Sequence, residues 1–294
     1  MPSDALVTVY IATHNRAELL IRAVKSVLEQ TYSNIEVIVA DDGSSDDTYQ
    51  YLLPFIKKGQ VSYVKNETPE GACVARNKAI AIAKGEFITG MDDDDAMEPY
   101  RVEHLLNEFA TGNYSCIASS IKERTLQGDI VRKMDVGDVN LDDLLHYNIL
   151  GNQVLTRTEN LRAINGFDPD MPAFQDYDTW VRLVSKFGVA KKSAQASYIW
   201  FTDHTHGRIS ESSDRRKQAF DIFYLKHSPL MSKAHKDSFV ILKIKLVNGS
   251  YGFIDFMKHT NRGNWKASLS LFINKNVKPL KYLLDITRTK LNSK

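Results

Sequence analysis

Apolar and polar positions switch between two periods along the first third of the chain. Leu6 to Ala12 is a short β-rich run, and from Ala17 to Gln30 the pairs Leu19/Leu20, Ala23/Val24 and Val27/Leu28 recur at four-residue steps, the stripe of an amphipathic helix. Ile35 to Ala40 is nearly all apolar and stops at Asp41-Asp42-Gly43-Ser44-Ser45-Asp46, where Ser and Asp supply caps for a helix over Thr48 to Ile56. The unit repeats. Val61 to Lys65 predicts a third strand, Gly71 to Lys84 an Ala-rich helix, and Glu86 to Met91 a fourth strand that delivers the chain into Asp92-Asp93-Asp94-Asp95, with a further helix beginning near Pro99. Buried strands alternating with helices predict an α/β fold with a doubly wound, mostly parallel sheet.

Composition narrows the class. The 294 residues, 43% hydrophobic and 25% charged with a mean hydropathy of -0.32, predict one large or two modest globular domains and exclude disorder and low-complexity architecture. Lys243 and Lys245 interrupt even the most apolar stretch, Phe239 to Val247, so no run approaches the roughly 20 apolar residues of a spanning helix. The opening Met1-Pro2-Ser3-Asp4 lacks the basic-then-apolar pattern of a secretory signal, which predicts a cytoplasmic protein whose Cys73 and Cys116 are reduced, buried thiols. The net charge of +2 hides a division: residues 233–294 hold 13 Lys/Arg against 3 Asp/Glu, leaving 25 against 33 for residues 1–232. An acidic body with a basic tail predicts a polyanionic partner for the tail.

In a doubly wound sheet, ligands bind at the carboxyl ends of the strands. Three of those ends carry polar groups: Thr13, His14, Asn15 and Arg16 after the first strand, Asp41 and Asp42 after the second, and the acidic run after the fourth. Neither G-x-G-x-x-G nor G-x-x-x-x-G-K-[ST] occurs, which argues against a dehydrogenase and a P-loop NTPase. Two carboxylates about 4 Å apart repel by roughly 4 kcal/mol at an effective dielectric of 20, so four in a row at a strand end need a cation, protons or wide exposure. Their hard oxygen donors suit Mn²⁺ or Mg²⁺; the alternative is a solvated turn that caps the next helix. If strand geometry persists, Asp92 and Asp94 face one way and Asp93 and Asp95 the other.

Several ordered segments carry a family resemblance. They are Val7-Thr8-Val9-Tyr10-Ile11-Ala12-Thr13-His14-Asn15-Arg16, Ser26 to Tyr32, Glu36 to Thr48 through Asp41-Asp42-Gly43-Ser44, Gly71 with Ala75-Arg76-Asn77, Ala83 to Ile88, Asp92-x-Asp94-Asp95, Gly166-Phe167-Asp168, and Gln175-Asp176-Tyr177-Asp178-Thr179-Trp180. Together, over roughly residues 5 to 211, the chain resembles the family-2 glycosyltransferases, GT-A-fold enzymes that transfer a sugar from a nucleotide diphosphate with inversion. Ala12 stands where that family commonly has Pro, and Gln175-Asp176 where it usually has Glu-Asp. The resemblance implies a catalytic domain over 1–211, with a nucleotide-sugar-binding half at 1–95 and an acceptor-binding half at 96–211; the charge and apolar clusters of the remainder predict a basic helical extension over 212–294.

The same resemblance implies the roles. Asp176 is the base, with Asp178 the runner-up and helix capping the bland alternative. Thr13, Asn15, Asp41, Arg76, Asp92 and Asp93 line the nucleotide-sugar site, Asp41 accepting from the nucleotide base. Asp94 holds the metal, Asp92 reaches the metal or the ribose, and His204 or His206 touches metal or diphosphate, as Arg208 does in an alternative reading. The expected enzyme moves glucose or galactose from a UDP-hexose to an N-acetylhexosamine on a polyprenyl-diphosphate lipid in O-antigen or polysaccharide repeat-unit synthesis. It works at the inner face of the cell membrane, held by its basic tail or with that tail packed on the body; nucleic acid is not expected as a partner. The rival classes are a sugar-nucleotide nucleotidylyltransferase, which is expected to carry a Gly-rich loop after the first strand, and a non-catalytic sugar-nucleotide-binding module.

Overall fold

The structure is a computed structural model that describes residues 4–132, 136–202 and 213–277. Its first half follows the alternating pattern: β1 (Val7–Thr13), α1 (Ala17–Leu28), β2 (Ile35–Asp41), α2 (Thr48–Lys57), β3 (Ser62–Lys65), α3 (Ala72–Ile82) and β4 (Phe87–Asp92). β1 is buried along nearly its whole length, as a strand covered on both faces must be. α1 turns Leu20, Ala23, Val24 and Val27 into the core against Val9, Ile11 and Val39, so the four-residue stripe is its packing face.

The chain then continues through β5 (Ala96–Met97), α4 (Arg101–Phe109), β6 (Cys116–Thr125), β7 (Gly128–Arg132), β8 (Gly137–Val139), α5 (Leu141–Leu144), β9 (Val154–Arg157), α6 (Thr158–Ala163), α7 (Gln175–Phe187) and β10 (Ala190–Phe201). The sheet runs in the order β3-β2-β1-β4-β9-β6-β10-β5, with β7 paired to β6 and β8 to β10. The pairings among β3, β2, β1 and β4 are all parallel, and antiparallel strands enter beyond β4. Successive strands move outward from β1 to β3, and β4 then returns to the other side of β1. That reversal opens a crevice at the carboxyl ends of β1 and β4, where Ala12 is in register with both Ala40 and Asp92.

The chain divides into two compact units, one of residues 1–141, 149–170 and 175–205, the other of residues 142–148, 171–174 and 206–294. The sheet and its helices belong to the first. The second contains α8 (Ser213–His227), α9 (Lys233–Leu246), α10 (Phe253–His259) and α11 (Trp265–Asn276). Its interior is aromatic: Phe223 stacks on Phe239 at 5.4 Å, and Phe174 meets Phe223 edge-on at 6.4 Å. Buried Tyr251 packs with Ile241 and Leu271 and keeps its hydroxyl satisfied by Ser268 Oγ at 2.7 Å. No helix among the described residues is long and apolar enough to cross a membrane.

Candidate active site

The crevice is walled by three loops that brace one another. Asn15, at φ 52°, uses Oδ1 to accept from the Ser45 and Asp46 amides at 2.8 and 3.3 Å, so the loop after β1 is pinned to the loop after β2. Asp42 accepts from Asn66 Nδ2 at 2.7 Å and from the Glu70 and Gly71 amides at 2.8 Å each, which fixes the chain entering α3. Asp41 is buried, with Oδ1 accepting from the Ser44 amide at 2.7 Å and Oδ2 from the Tyr63 hydroxyl.

The acidic run does not keep strand alternation. β4 ends at Asp92, and the Asp95 amide donates to the Asp92 carbonyl at 3.2 Å, closing a turn that sends the four carboxylates in different directions. Asp92 accepts from Arg76 Nη2 at 3.1 Å, Asn152 Nδ2 at 3.1 Å and Gln153 Nε2 at 3.2 Å. Asp93 accepts from Thr13 Oγ1 at 2.7 Å and Arg16 Nη1 at 3.1 Å, and the same nitrogen reaches Asp94 Oδ2 at 3.3 Å. Asp95 takes the Tyr198 hydroxyl at 2.8 Å and the Phe201 amide at 3.3 Å. Asp92 and Asp94 therefore do not share a face: Asp94 lies with Asp93 at Arg16, and Asp92 turns toward Arg76.

Crowding shows in the protonation of the run. Burial, reinforced by Asp94 and opposed by Arg16 and Thr13, pushes Asp93 up to about 6; burial and the charges of Asp92 and Asp94 push Asp95 well above the ordinary carboxylate range. Carboxylate oxygens of Asp93 and Asp94 gather at Arg16, a hard oxygen donor set that fits a divalent cation. It offers one or two carboxylates rather than a cage, the number that Mg²⁺ usually takes from protein when phosphates supply the rest.

Arg76 joins the fourth strand to the late helix. Its Nη1 donates to Gln175 Oε1 at 2.7 Å, its Nη2 to Asp92, and its plane lies 5.2 Å from the Phe167 ring. Beside it stands Asp176, half-buried as a residue but with Oδ1 enclosed and without a hydrogen-bond partner. Burial drives the Asp176 carboxyl up to about 7; Asp92 adds to the rise and Arg76 opposes it. A buried, unpartnered carboxylate oxygen with a raised affinity for protons is suited to take one from a hydroxyl brought to it. Asp178 is not free for such work, because it is fully buried in an ion pair with Arg182 at 2.8 Å.

Arg76 pairs with Asp92 at 3.1 Å and opposes the charge of Asp176, so its loss leaves partly buried negative charge poorly compensated. Arg76→Met is expected to lower unfolding stability by about 3–5 kcal/mol, read from urea midpoints at pH 7.5; an unchanged midpoint contradicts this electrostatic role.

The structure thus brings Thr13, Asp93, Asp94 and Arg16 together on one side, and Arg76, Asp92 and Asp176 on the other. Asp41 and Asn15 hold the loop after β2. His204, His206 and Arg208 lie outside the described residues. Sequence reasoning missed Asn152, Gln153 and Tyr198, which come from segments 60 and more residues away and have no spacing signal; Gly90 hints at the first pair, since a Cβ there would sit 2.2 Å from Gln153 Oε1 and 2.4 Å from the Tyr10 ring.

Residues 8–165 match the sequence model of Glycosyl transferase family 2. The chain is 31% identical over 291 residues to the Escherichia coli (strain K12) protein named colanic acid biosynthesis glycosyl transferase WcaA, covering 95% of this chain and 98% of that one. It is 30% identical over 209 residues to WfaP of Escherichia coli, named a UDP-Glc:alpha-D-GlcNAc-diphosphoundecaprenol beta-1,3-glucosyltransferase, covering 70% of this chain and 80% of that one. Among solved structures, Staphylococcus aureus TarS 1–349 in complex with UDP-GlcNAc superposes with a TM-score of 0.65 at 18% identity, over 92% of this chain and 81% of that one. The mannosyltransferase PcManGT from Pyrobaculum calidifontis, in complex with GDP-Man and Mn²⁺, gives 0.60 at 16%, over 97% and 80%. At these identities the structural likeness establishes the GT-A fold.

Proposed function

The chain belongs to glycosyl transferase family 2 and is a hexosyltransferase, and from that premise we propose that it moves glucose or galactose, with inversion, from a UDP-sugar to an N-acetylhexosamine on a polyprenyl-diphosphate lipid during polysaccharide repeat-unit synthesis. One observation carries the catalytic part: the enclosed, unpartnered Oδ1 of Asp176 beside Arg76 and Asp92 at the sheet's switch point. The activity for which WfaP is named supports the donor and acceptor class.

Asp176 accepts the proton of the acceptor hydroxyl as that oxygen attacks the anomeric carbon, on the face opposite the departing diphosphate. Arg76 holds Asp92 and Gln175 in place and tempers the charge of the base. Thr13, Asn15, Asp41 and Asp93 shape the nucleotide side of the crevice. Asp94 would hold a divalent cation, while Asp92, turned toward Arg76, is left to the ribose; Mn²⁺ or Mg²⁺ at Asp94 would supply neutralisation of the charge that develops on the leaving diphosphate. No general acid is then required for departure.

The direct test offers a panel of nucleotide sugars with a short lipid diphosphate bearing one N-acetylhexosamine. Transfer of glucose or galactose from UDP with inverted stereochemistry is expected. Transfer only from other nucleotides, or only to acceptors without a lipid diphosphate, overturns the assignment.

We place the enzyme at the inner face of the cell membrane. In α10, Phe253, Ile254 and Met257 are 65%, 80% and 65% exposed beside Lys258, an apolar and cationic combination suited to anionic lipid. Residues 278–294 lie outside the described residues. Removing residues 276–294 is expected to weaken sedimentation with anionic vesicles at low salt, and binding that does not change retires the role of the tail.

A further inference from the structure

In the helical unit, away from every residue given a role above, Asp142 and His146 meet His235. A carboxylate oxygen of Asp142 and one ring nitrogen from each histidine all lie within 4.8 Å of one another. His235 Nε2 stands 3.0 Å from Asp142 Oδ1, and the two imidazoles meet edge to face at 4.4 Å. Two ligands on one tetrahedral ion with bonds of about 2.0 Å are roughly 3.3 Å apart, so the His235–Asp142 pair already stands near ligand spacing and His146 needs only a small side-chain adjustment to join it.

The surroundings are those that metal-binding histidines need. The far nitrogen of each ring faces a hydroxyl: His146 Nδ1 is 2.7 Å from Ser238 Oγ, and His235 Nδ1 is 3.1 Å from Ser232 Oγ. The Ser238 hydroxyl can accept from His146 Nδ1–H, which leaves His146 Nε2 as the free lone pair, whereas His235 Nδ1 accepts from the Ser232 amide at 3.1 Å. Gly263 completes the pocket. A Cβ there would be 2.1, 2.3 and 2.4 Å from Nε2, Cε1 and Cδ2 of His146, near-equal distances that put the glycine over the ring face and leave the in-plane lone pair of Nε2 clear.

We propose that Asp142, His146 and His235 hold one divalent transition-metal ion of the zinc class, pinning the 142–148 segment to the start of α9. Two imidazoles and one carboxylate are a borderline donor set that favours Zn²⁺ over Mg²⁺ or Ca²⁺, and solvent takes the fourth position. His235 offers Nε2 to an ion in the tautomer whose Nδ1–H donates to Ser232 Oγ, and the Ser232 amide then gives up the acceptor it has at 3.1 Å in the capping box.

The test titrates Co²⁺ into the untagged full-length chain and follows its visible d–d bands, then displaces it with Zn²⁺. One equivalent with the intense bands of a tetrahedral nitrogen and oxygen site is expected. His146→Ala and Asp142→Ala are each expected to weaken Co²⁺ more than about 10-fold, and Ser238→Ala roughly 10-fold through His146. Asp142 is exposed, so its replacement leaves the fold intact and circular dichroism checks this. Asp94→Asn is expected to keep the bands, separating this ion from one at the acidic run. Absence of the bands in the wild type, or their survival in His146→Ala and Asp142→Ala, overturns the proposal.

Discussion

Replacing Asp176 by Asn is expected to lower kcat by roughly 10²- to 10⁴-fold, the usual worth of a positioned general base, while the affinity for UDP measured by calorimetry stays within a few-fold. The amide keeps the shape of the carboxylate but accepts no proton. The wild-type pH profile carries a second signature. Burial raises the Asp176 pKa to about 7, so the unprotonated base is populated only as pH climbs, and kcat/KM is expected to rise through neutrality in a limb that the Asn variant lacks. Stability moves the opposite way. A carboxyl that binds its proton more tightly folded than unfolded favours the native state below the unfolded pKa, and that contribution fades as pH rises from about 4 to about 7. Asp176→Asn removes this loss, leaving the similar contributions of Asp93 and Asp95, so the variant is expected to be at least as stable as wild type at pH 8. Turnover that survives the substitution removes Asp176 as the base and revives the non-catalytic reading.

Chelation is expected to cut sugar transfer by about 100-fold or more, since cation stabilisation of a leaving diphosphate is worth several kcal/mol, and Mg²⁺ or Mn²⁺ restores it. Mg²⁺ is the more telling addition. It is a poor partner for imidazole, so its rescue points to the carboxylates of the acidic run rather than to His146 and His235. Asp94→Asn is expected to raise the Mg²⁺ concentration needed for half-maximal activity. Full transfer in chelator contradicts the role of Asp94.

The structure tightens the relation between the two groups of carboxylates. Arg16 already spans Asp93 and Asp94, so a cation arriving at Asp94 competes with a guanidinium at 3.3 Å. Arg76 is held differently, between Gln175 and Asp92. The family's usual Glu at the Gln175 position would put a carboxylate against Arg76; the neutral amide leaves more of the guanidinium's charge to Asp92 and Asp176.

The alternation from β1 to β4 was readable because each element is set by a local period. The four-residue stripe of α1 and the unbroken apolar run of β2 belong to short stretches of chain whose burial is the same in any doubly wound sheet. The ordered segments that carry the family resemblance are likewise short runs of neighbouring residues, so membership in the family was legible before folding.

What those carboxylates do was decided elsewhere. A turn closed by a single amide at Asp95 ended the alternation that a strand would have imposed, and Arg76, Asn152 and Gln153 drew Asp92 away from Asp94. Asp178, two residues from Asp176 and chemically identical to it, is spent on Arg182 because the helix turns its side chain the other way. Sequence determined which groups exist and which elements carry them; the packing of distant segments determined which charges are paired, which oxygen stays unpartnered, and that two histidines 89 positions apart face one carboxylate. Periodicity is a property of neighbours along the chain, whereas charge compensation depends on neighbours in space, and only folding brings those into reach.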